Sequence, residues 1–197
     1  KKKNYGVSGL VFVWQRKERM RAMKNILIVV DMQKDFVDGA LGSKESVGIV
    51  DNVVAKIQDF EGDVIATYDT HGENYMDTQE GKKLPVPHCI KGTDGWKLDQ
   101  RVQEALDKKG FIEVYKPTFG SVDLVEVIRK YDVENIAIQL VGLCTDICVV
   151  SNALLLKANF PEMNISVDAA CCAGVTPQKH QAALEIMSSC QIEVLNA

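Results

Sequence analysis

The 197-residue chain contains no run approaching the roughly 18 apolar residues that a membrane-spanning helix requires. It has only 5 prolines and neither a low-complexity linker nor an internal repeat, and its 46% of apolar residues is too many for a disordered chain. No CxxC pair occurs, which removes a cysteine-rich zinc ribbon. The six cysteines, at 89, 144, 148, 171, 172 and 190, belong to a chain long enough to bury its own core without bridges, so they read as cytosolic thiols. No GxGxxG follows the first apolar run, which disfavours a non-catalytic nucleotide-binding module. Basic charge is scarce after the first 22 residues. Those residues hold seven Lys/Arg and one Glu, and the other 175 hold 16 basic against 26 acidic residues, a net of -10 that speaks against nucleic-acid binding.

Residues 1–22 combine a basic start with a short apolar stretch, Val7 to Trp14. The stretch is followed by Gln15-Arg16-Lys17-Glu18-Arg19 rather than a small-residue cleavage site, so the segment is expected to be an N-terminal extension outside the fold, not an export signal. Periodic patterning begins at Met23, and a single domain over 23–197 is the expectation. Short β-branched runs predict strands at 26–30, 63–67, 111–115, 135–141, 163–167 and 191–195. Amphipathic stretches between them predict helices near 46–60, 97–109, 121–131, 146–158 and 177–189. Strands apolar on both faces and separated by helices imply a three-layer α/β/α domain around a mostly parallel six-stranded sheet. The connection 68–95 is too long for a purely structural loop and is expected to be functional.

Ligands of open α/β sheets sit beyond the carboxyl ends of the strands, which is where the polar residues cluster. Asp31 follows the first strand, Asp69 and His71 the second, Lys116 the third, and Cys144 to Cys148 the fourth. Taken singly, Asp31 would be a turn cap, Lys116 a surface charge and Cys148 a small buried hydrophobe. Together they describe a nucleophile. A helix start and an ammonium both favour thiolate at Cys148, a nearby carboxylate can shuttle its proton, and the helix start offers amides to an oxyanion. Asp69-Thr70-His71 projects two side chains to one face, and His88 can return through the long loop, so two imidazoles and a carboxylate could hold a first-row divalent ion. His180, in the last long helix, reads as a surface residue.

The segments Ile28 to Phe36, Asp69-Thr70-His71, His88 to Gly95 (HCIKGTDG), Lys116 to Ser121 (KPTFGS) and Thr145 to Val149 (TDICV) follow one another in an order that resembles the isochorismatase-like cysteine hydrolases, and within them the nicotinamidases. The resemblance implies an Asp31–Lys116–Cys148 triad with Cys148 as nucleophile, Asp31 as proton shuttle and Lys116 as electrostatic support. It implies that the backbone amides of Cys144 and Cys148 form an oxyanion hole behind a cis peptide bond. Asp69, His71 and His88 match the family's metal ligands, Glu80 is similar to an added acidic contact, and the metal would be zinc, with iron or manganese as alternatives. Phe36 matches one wall of the substrate site. Where many nicotinamidases carry a second aromatic wall, three residues before the second metal histidine, this chain has Pro85, so Tyr75 or Trp96 is the candidate replacement.

The implied activity is cytoplasmic hydrolysis of nicotinamide to nicotinate and ammonia through a Cys thioester, with no nucleic-acid or membrane partner and assembly into a homo-oligomer as a possibility of the family. Two alternatives remain. One is a related cysteine hydrolase acting on another small amide or an isochorismate-type substrate, and the other is a metal hydrolase in which Cys148 is incidental.

Overall fold

The computed structural model describes residues 23–197, and the expectation for residues 1–22 lies outside the described residues. The elements in chain order are β1 (Lys24–Val30), α1 (Lys34–Val37), α2 (Lys44–Gly48), α3 (Val50–Asp59), β2 (Asp63–Asp69), α4 (Gln79–Lys83), α5 (Gln100–Lys109), β3 (Ile112–Lys116), α6 (Val122–Ile128), β4 (Ile136–Leu143), α7 (Val150–Asn159), β5 (Asn164–Ala173), α8 (Pro177–Ser189) and β6 (Glu193–Leu195). The six strands form one sheet in the order β3-β2-β1-β4-β5-β6, and every pairing is parallel. The predicted three-layer α/β architecture is therefore what the chain adopts.

The central strand shows how the sequence makes two cores at once. Because successive side chains point to opposite faces, Ile26, Ile28 and Val30 enter one core, with Leu124 and Ile128 of α6, Ala153 and Leu156 of α7, and Leu184 and Met187 of α8. Leu27 and Val29 enter the other, with Val50, Val53 and Ile57 of α3 and Val102, Ala105 and Leu106 of α5. Each covering helix thus presents apolar residues at spacings of three, four or seven. Capping fixes where several begin. Ser43, Asp99, Ser121 and Thr176 each accept a hydrogen bond from a backbone amide of the first turn, and Pro177 opens α8.

Element ends differ from their sequence-based bounds in most strands and helices, usually by one to three residues. The helix expected at 46–60 is two helices that change at Ile49, just after Gly48. The strand expected at 163–167 continues to Ala173. Asp168 is buried within β5, where Lys56 lies 2.7 Å away and Asn196 donates to it at 3.0 Å. The last strand is shorter than expected, Glu193–Leu195. The helix expected at 146–158 starts as a wide turn over Thr145–Val149, in which the Val149 amide reaches back five residues to the Cys144 carbonyl at 3.1 Å.

The chain runs outward from β1 in one direction through β2 and β3, and in the other through β4, β5 and β6. The order reverses between β1 and β4, and the crevice at that switch point lies between Asp31 and Cys144. Gly142 permits it. The residue has φ 116°, and a Cβ there would overlap the Val30 carbonyl oxygen of β1. Replacing Gly142 with Ala combines a forbidden backbone region with a backbone clash, so a loss of about 2–4 kcal/mol in folding stability is expected in urea unfolding. An unchanged midpoint would contradict this account of the β1–β4 junction.

Candidate active site

Lys116, the last residue of β3, is fully buried. Its ammonium lies 2.6 Å from Asp31 Oδ2 and 3.3 Å from Asp69 Oδ1, and it donates to Cys148 Sγ at 3.3 Å and to the Thr118 carbonyl at 3.2 Å. Sheet register produces this cluster, because Lys116 is the direct partner of Asp69 across β2 and β3. Asp31 leaves β1 in a left-handed conformation, φ 47°. Such a backbone is uncommon for a residue other than glycine and turns the carboxylate inward from the strand end. Its Oδ1 accepts from the Thr67 hydroxyl at 2.6 Å, whereas Oδ2 accepts no hydrogen bond of regular geometry among the described residues. The three residues predicted to form the triad are thus brought together.

Their electrostatics modify the expectation of a resting thiolate. Burial and the Asp31 carboxylate push the Cys148 thiol well above the usual thiol range, and Lys116 pulling the other way does not offset them. Burial also raises the Asp31 carboxyl, against the attraction of Lys116 and with a further upward push from Asp69. For Lys116, burial alone would favour the neutral amine, but Asp31, Cys148 and Asp69 outweigh it and hold the ammonium charged. The cluster is therefore a neutral thiol beside a carboxyl of raised proton affinity, both under a permanent cation.

Asp69 connects this cluster to the histidines. Its Oδ2 lies 2.9 Å from His71 Nε2 and 3.6 Å from His88 Nε2. Although its burial acts upward, the two imidazoles and Lys116 hold its carboxyl well below the usual range. His88 Nδ1 sits 2.8 Å from the Val86 carbonyl, a contact that assigns Nδ1 the proton and leaves Nε2 as a lone-pair donor. One donor atom from each of Asp69, His71 and His88 falls within a 4.8 Å cluster, and Glu80 Oε1 lies 3.8 Å from His71 Nε2 and 3.7 Å from His88 Nε2. Two imidazole nitrogens and carboxylate oxygens converging in this way fit a divalent metal ion.

A chamber of about 60 Å³ is lined by Asp69, His88, Cys144 and Cys148 on its polar side and by Phe36, Leu41, Leu84, Phe119 and Ile147 on its apolar side. It adjoins a vestibule of about 680 Å³, and the two share Glu80, Leu84, Phe119 and Ile147. The peptide bond between Leu143 and Cys144 is cis, as the resemblance implied.

The replacements considered for the missing aromatic wall lie elsewhere. Tyr75 is buried behind the histidines, edge-on to His71 and His88 with ring centroids 4.8 and 5.0 Å away, and its hydroxyl donates to the Leu84 carbonyl at 2.9 Å. Trp96 packs against Tyr68 and Tyr115 and donates to Thr70 Oγ1 at 2.9 Å. Neither lines the chamber, because the long loop folds both rings into its own packing, and Phe119 is the aromatic residue that accompanies Phe36 there. His180 is half-buried rather than on the surface, since its Nδ1 pairs with Thr145 Oγ1 at 2.7 Å at the start of the Cys148 turn.

Sequence reasoning missed the side chains that hold these parts in place. Buried Gln33 accepts from the Asp69 amide and donates to the Asp69 and Trp96 carbonyls, each at 2.8 Å. Asp35 accepts from the Cys89 amide at 2.8 Å, where Cys89 has φ 46°, so it fixes the turn beside His88. Gly95 is needed there because a Cβ would overlap the Asp35 carboxylate. The DMQKDF run contains both residues, but only the fold shows what they bind.

The family model of the isochorismatase domain matches residues 25–197, and the chain belongs to that family. A Bacillus subtilis relative described as an uncharacterized isochorismatase family protein, PncA, is 30% identical over 145 residues, which cover 67% of this chain and 78% of that protein. The crystal structure of the nicotinamidase/pyrazinamidase PncA from Bacillus subtilis matches with a TM-score of 0.77 at 28% identity, covering 88% of this chain and 100% of that one. The pyrazinamidase of Pyrococcus horikoshii, solved in complex with zinc, shares the fold at a TM-score of 0.70 and 24% identity, over 88% of this chain and 99% of that one.

Removing the central cation should expose the dependence of the site on it. Lys116→Met removes the cation that both buried carboxylates face and leaves Asp31 with the Thr67 hydroxyl alone, and a destabilisation of about 3–5 kcal/mol is expected. Adding Asp31→Asn should recover part of that loss, a coupling that a double-mutant cycle in urea measures directly.

Proposed function

We propose that this protein hydrolyses nicotinamide, or a closely similar small heteroaromatic carboxamide, to the acid and ammonia, with Asp31, Lys116 and Cys148 as its catalytic residues. The observation that carries the reading is that Cys148, whose Sγ meets the Lys116 ammonium beside the Asp31 carboxylate, lines a small chamber together with Asp69 and His88 of the imidazole–carboxylate cluster. The nicotinamidase likeness of the 28% identical Bacillus subtilis structure supports the choice of amide.

As Cys148 Sγ attacks the amide carbonyl, its proton passes to Asp31, whose raised proton affinity suits it to accept. Lys116 keeps the exchange from adding net negative charge to a buried site. The Cys144 and Cys148 amides receive the oxyanion, and Asp31 returns the proton to the departing nitrogen as the C–N bond breaks, which leaves a thioester and ammonia. Water then adds to the thioester with Asp31 accepting its proton, the C–S bond breaks, and the proton returns to the sulfur as the acid leaves. Asp69, His71 and His88 would hold a divalent metal, zinc with iron or manganese as alternatives that the same donors accept, with Glu80 as an added contact, and when bound it would supply a Lewis-acidic anchor for the ring nitrogen. Phe36 would form an apolar wall for the ring. Six free thiols and no helix long and apolar enough to cross a membrane, among the described residues, support a cytoplasmic, reducing setting.

Ammonia release from nicotinamide, measured beside a panel of small aliphatic and aromatic amides, tests the substrate. Cys148→Ala is expected to lower turnover by a factor on the order of 10⁴ or more while the melting temperature and bound metal stay near wild type. Mass spectrometry after trapping with an aldehyde analogue should place the adduct on Cys148, and an adduct on Cys144 or Cys171 would refute the assignment. His71→Ala is expected to lose bound metal and raise KM with the folded core retained. Equal metal in wild type and variant by elemental analysis would remove that ligand role.

A further inference from the structure

Asn152 takes no part in the steps above, yet it is fully buried and joined to three backbone groups. Its Oδ1 accepts from the Ser121 amide at 2.9 Å, while Nδ2 donates to the Phe119 carbonyl at 3.0 Å and to the Cys148 carbonyl at 2.8 Å. One side chain therefore ties the loop that leaves Lys116 to the turn that carries Cys148. Ser121 extends the tie, because its hydroxyl caps α6 by accepting from the Leu124 amide.

Phe119 lines both the vestibule and the chamber, and with Glu80, Leu84 and Ile147 it forms the neck between them. Phe119 is 43% exposed, so packing holds it only in part. Its position follows its backbone, which Asn152 anchors. The neck matters because the chamber beyond it, about 60 Å³, is small beside the vestibule of about 680 Å³. An amide that reaches Cys148 from the vestibule passes this neck, so its width bears on which substituents can follow the carboxamide.

We propose that Asn152 is a positioning residue that sets the width of the passage to Cys148, through the backbone of Phe119, and so limits the size of amide the site accepts. The inference deepens the amidohydrolase reading and relies on it only for the meaning of the chamber. Its test therefore uses thiol access, which needs no substrate to be known.

Alkylation of Cys148 by iodoacetamide and by the bulkier iodoacetanilide is followed peptide by peptide, by mass spectrometry at one pH, in full-length wild type, Asn152→Thr, Phe119→Ala and the double variant. A threonine hydroxyl can still return to the Cys148 carbonyl one turn back, but it is too short to reach Phe119. The iodoacetanilide-to-iodoacetamide rate ratio is expected to rise about tenfold in each single variant, and no further in the double. An unchanged ratio in Asn152→Thr overturns the proposal, as do independent, multiplicative effects in the double. Equal acceleration of both reagents together with a lowered melting temperature shows general loosening and overturns it too. Asn152→Ser provides the same comparison where Thr is not accommodated. Absence of nicotinamide turnover in wild type would instead overturn the proposed substrate and leave the ratio readable.

Discussion

A single buried cation organises the carboxyl edge of this sheet. Lys116 brings a permanent charge to a place without water, and burial on that scale is tolerated only when opposite charge and hydrogen-bond acceptors surround it. Asp31, Asp69, the Thr118 carbonyl and Cys148 Sγ provide them, from the ends of three strands and the turn after a fourth. The two carboxylates then take different characters. Asp69 is drawn toward the imidazoles and stays ionised, whereas Asp31, with one oxygen bound only by a hydroxyl and the other facing the ammonium, has the higher proton affinity. Unequal environments for two carboxylates are a common way for one site to hold both a ligand and a proton shuttle.

How far the sequence announces this depends on the distance over which each signal acts. Strand β1 was legible because its apolar residues alternate between two cores within seven positions, and the cluster of Asp31, Lys116 and Cys148 was legible because its members lie at or shortly after strand ends. Gln33 and Asn152 were not. A polar amide in a sequence looks like any exposed residue, and these two satisfy backbone groups 31 to 63 positions away. The continuation of β5 past residue 167 was not legible for a related reason, since the lysine that makes the burial of Asp168 tolerable is on α3, far from β5 in the chain. Tyr75 and Trp96 failed as substrate walls because ring type is visible in sequence, while the direction in which a 28-residue loop folds is not.

Supporting side chains surround the proposed chemistry on every side but the chamber. Gln33 fixes the end of β2 from the α1 side, Asp35 fixes the turn that bears His88, and His180 pairs with the residue after Cys144. Gln33 and Asp35 do so through backbone groups and His180 through a side-chain hydroxyl. Second contacts of this kind decide whether a site keeps its geometry to within a fraction of an ångström.

The wide turn at Thr145–Val149 also bears on how such a chain can vary over generations. It accommodates one residue more than a regular helix would, and helical periodicity converts one residue into about 100° of rotation. Loss of a single codon here would leave the hydrophobic composition almost untouched, yet it would rotate Cys148 relative to the residues that follow and carry Asn152 away from its three partners. Apart from Cys148 itself, length is therefore under tighter constraint than identity in this segment. Side chains facing the core can be exchanged for others of similar size, whereas insertions and deletions should be purged.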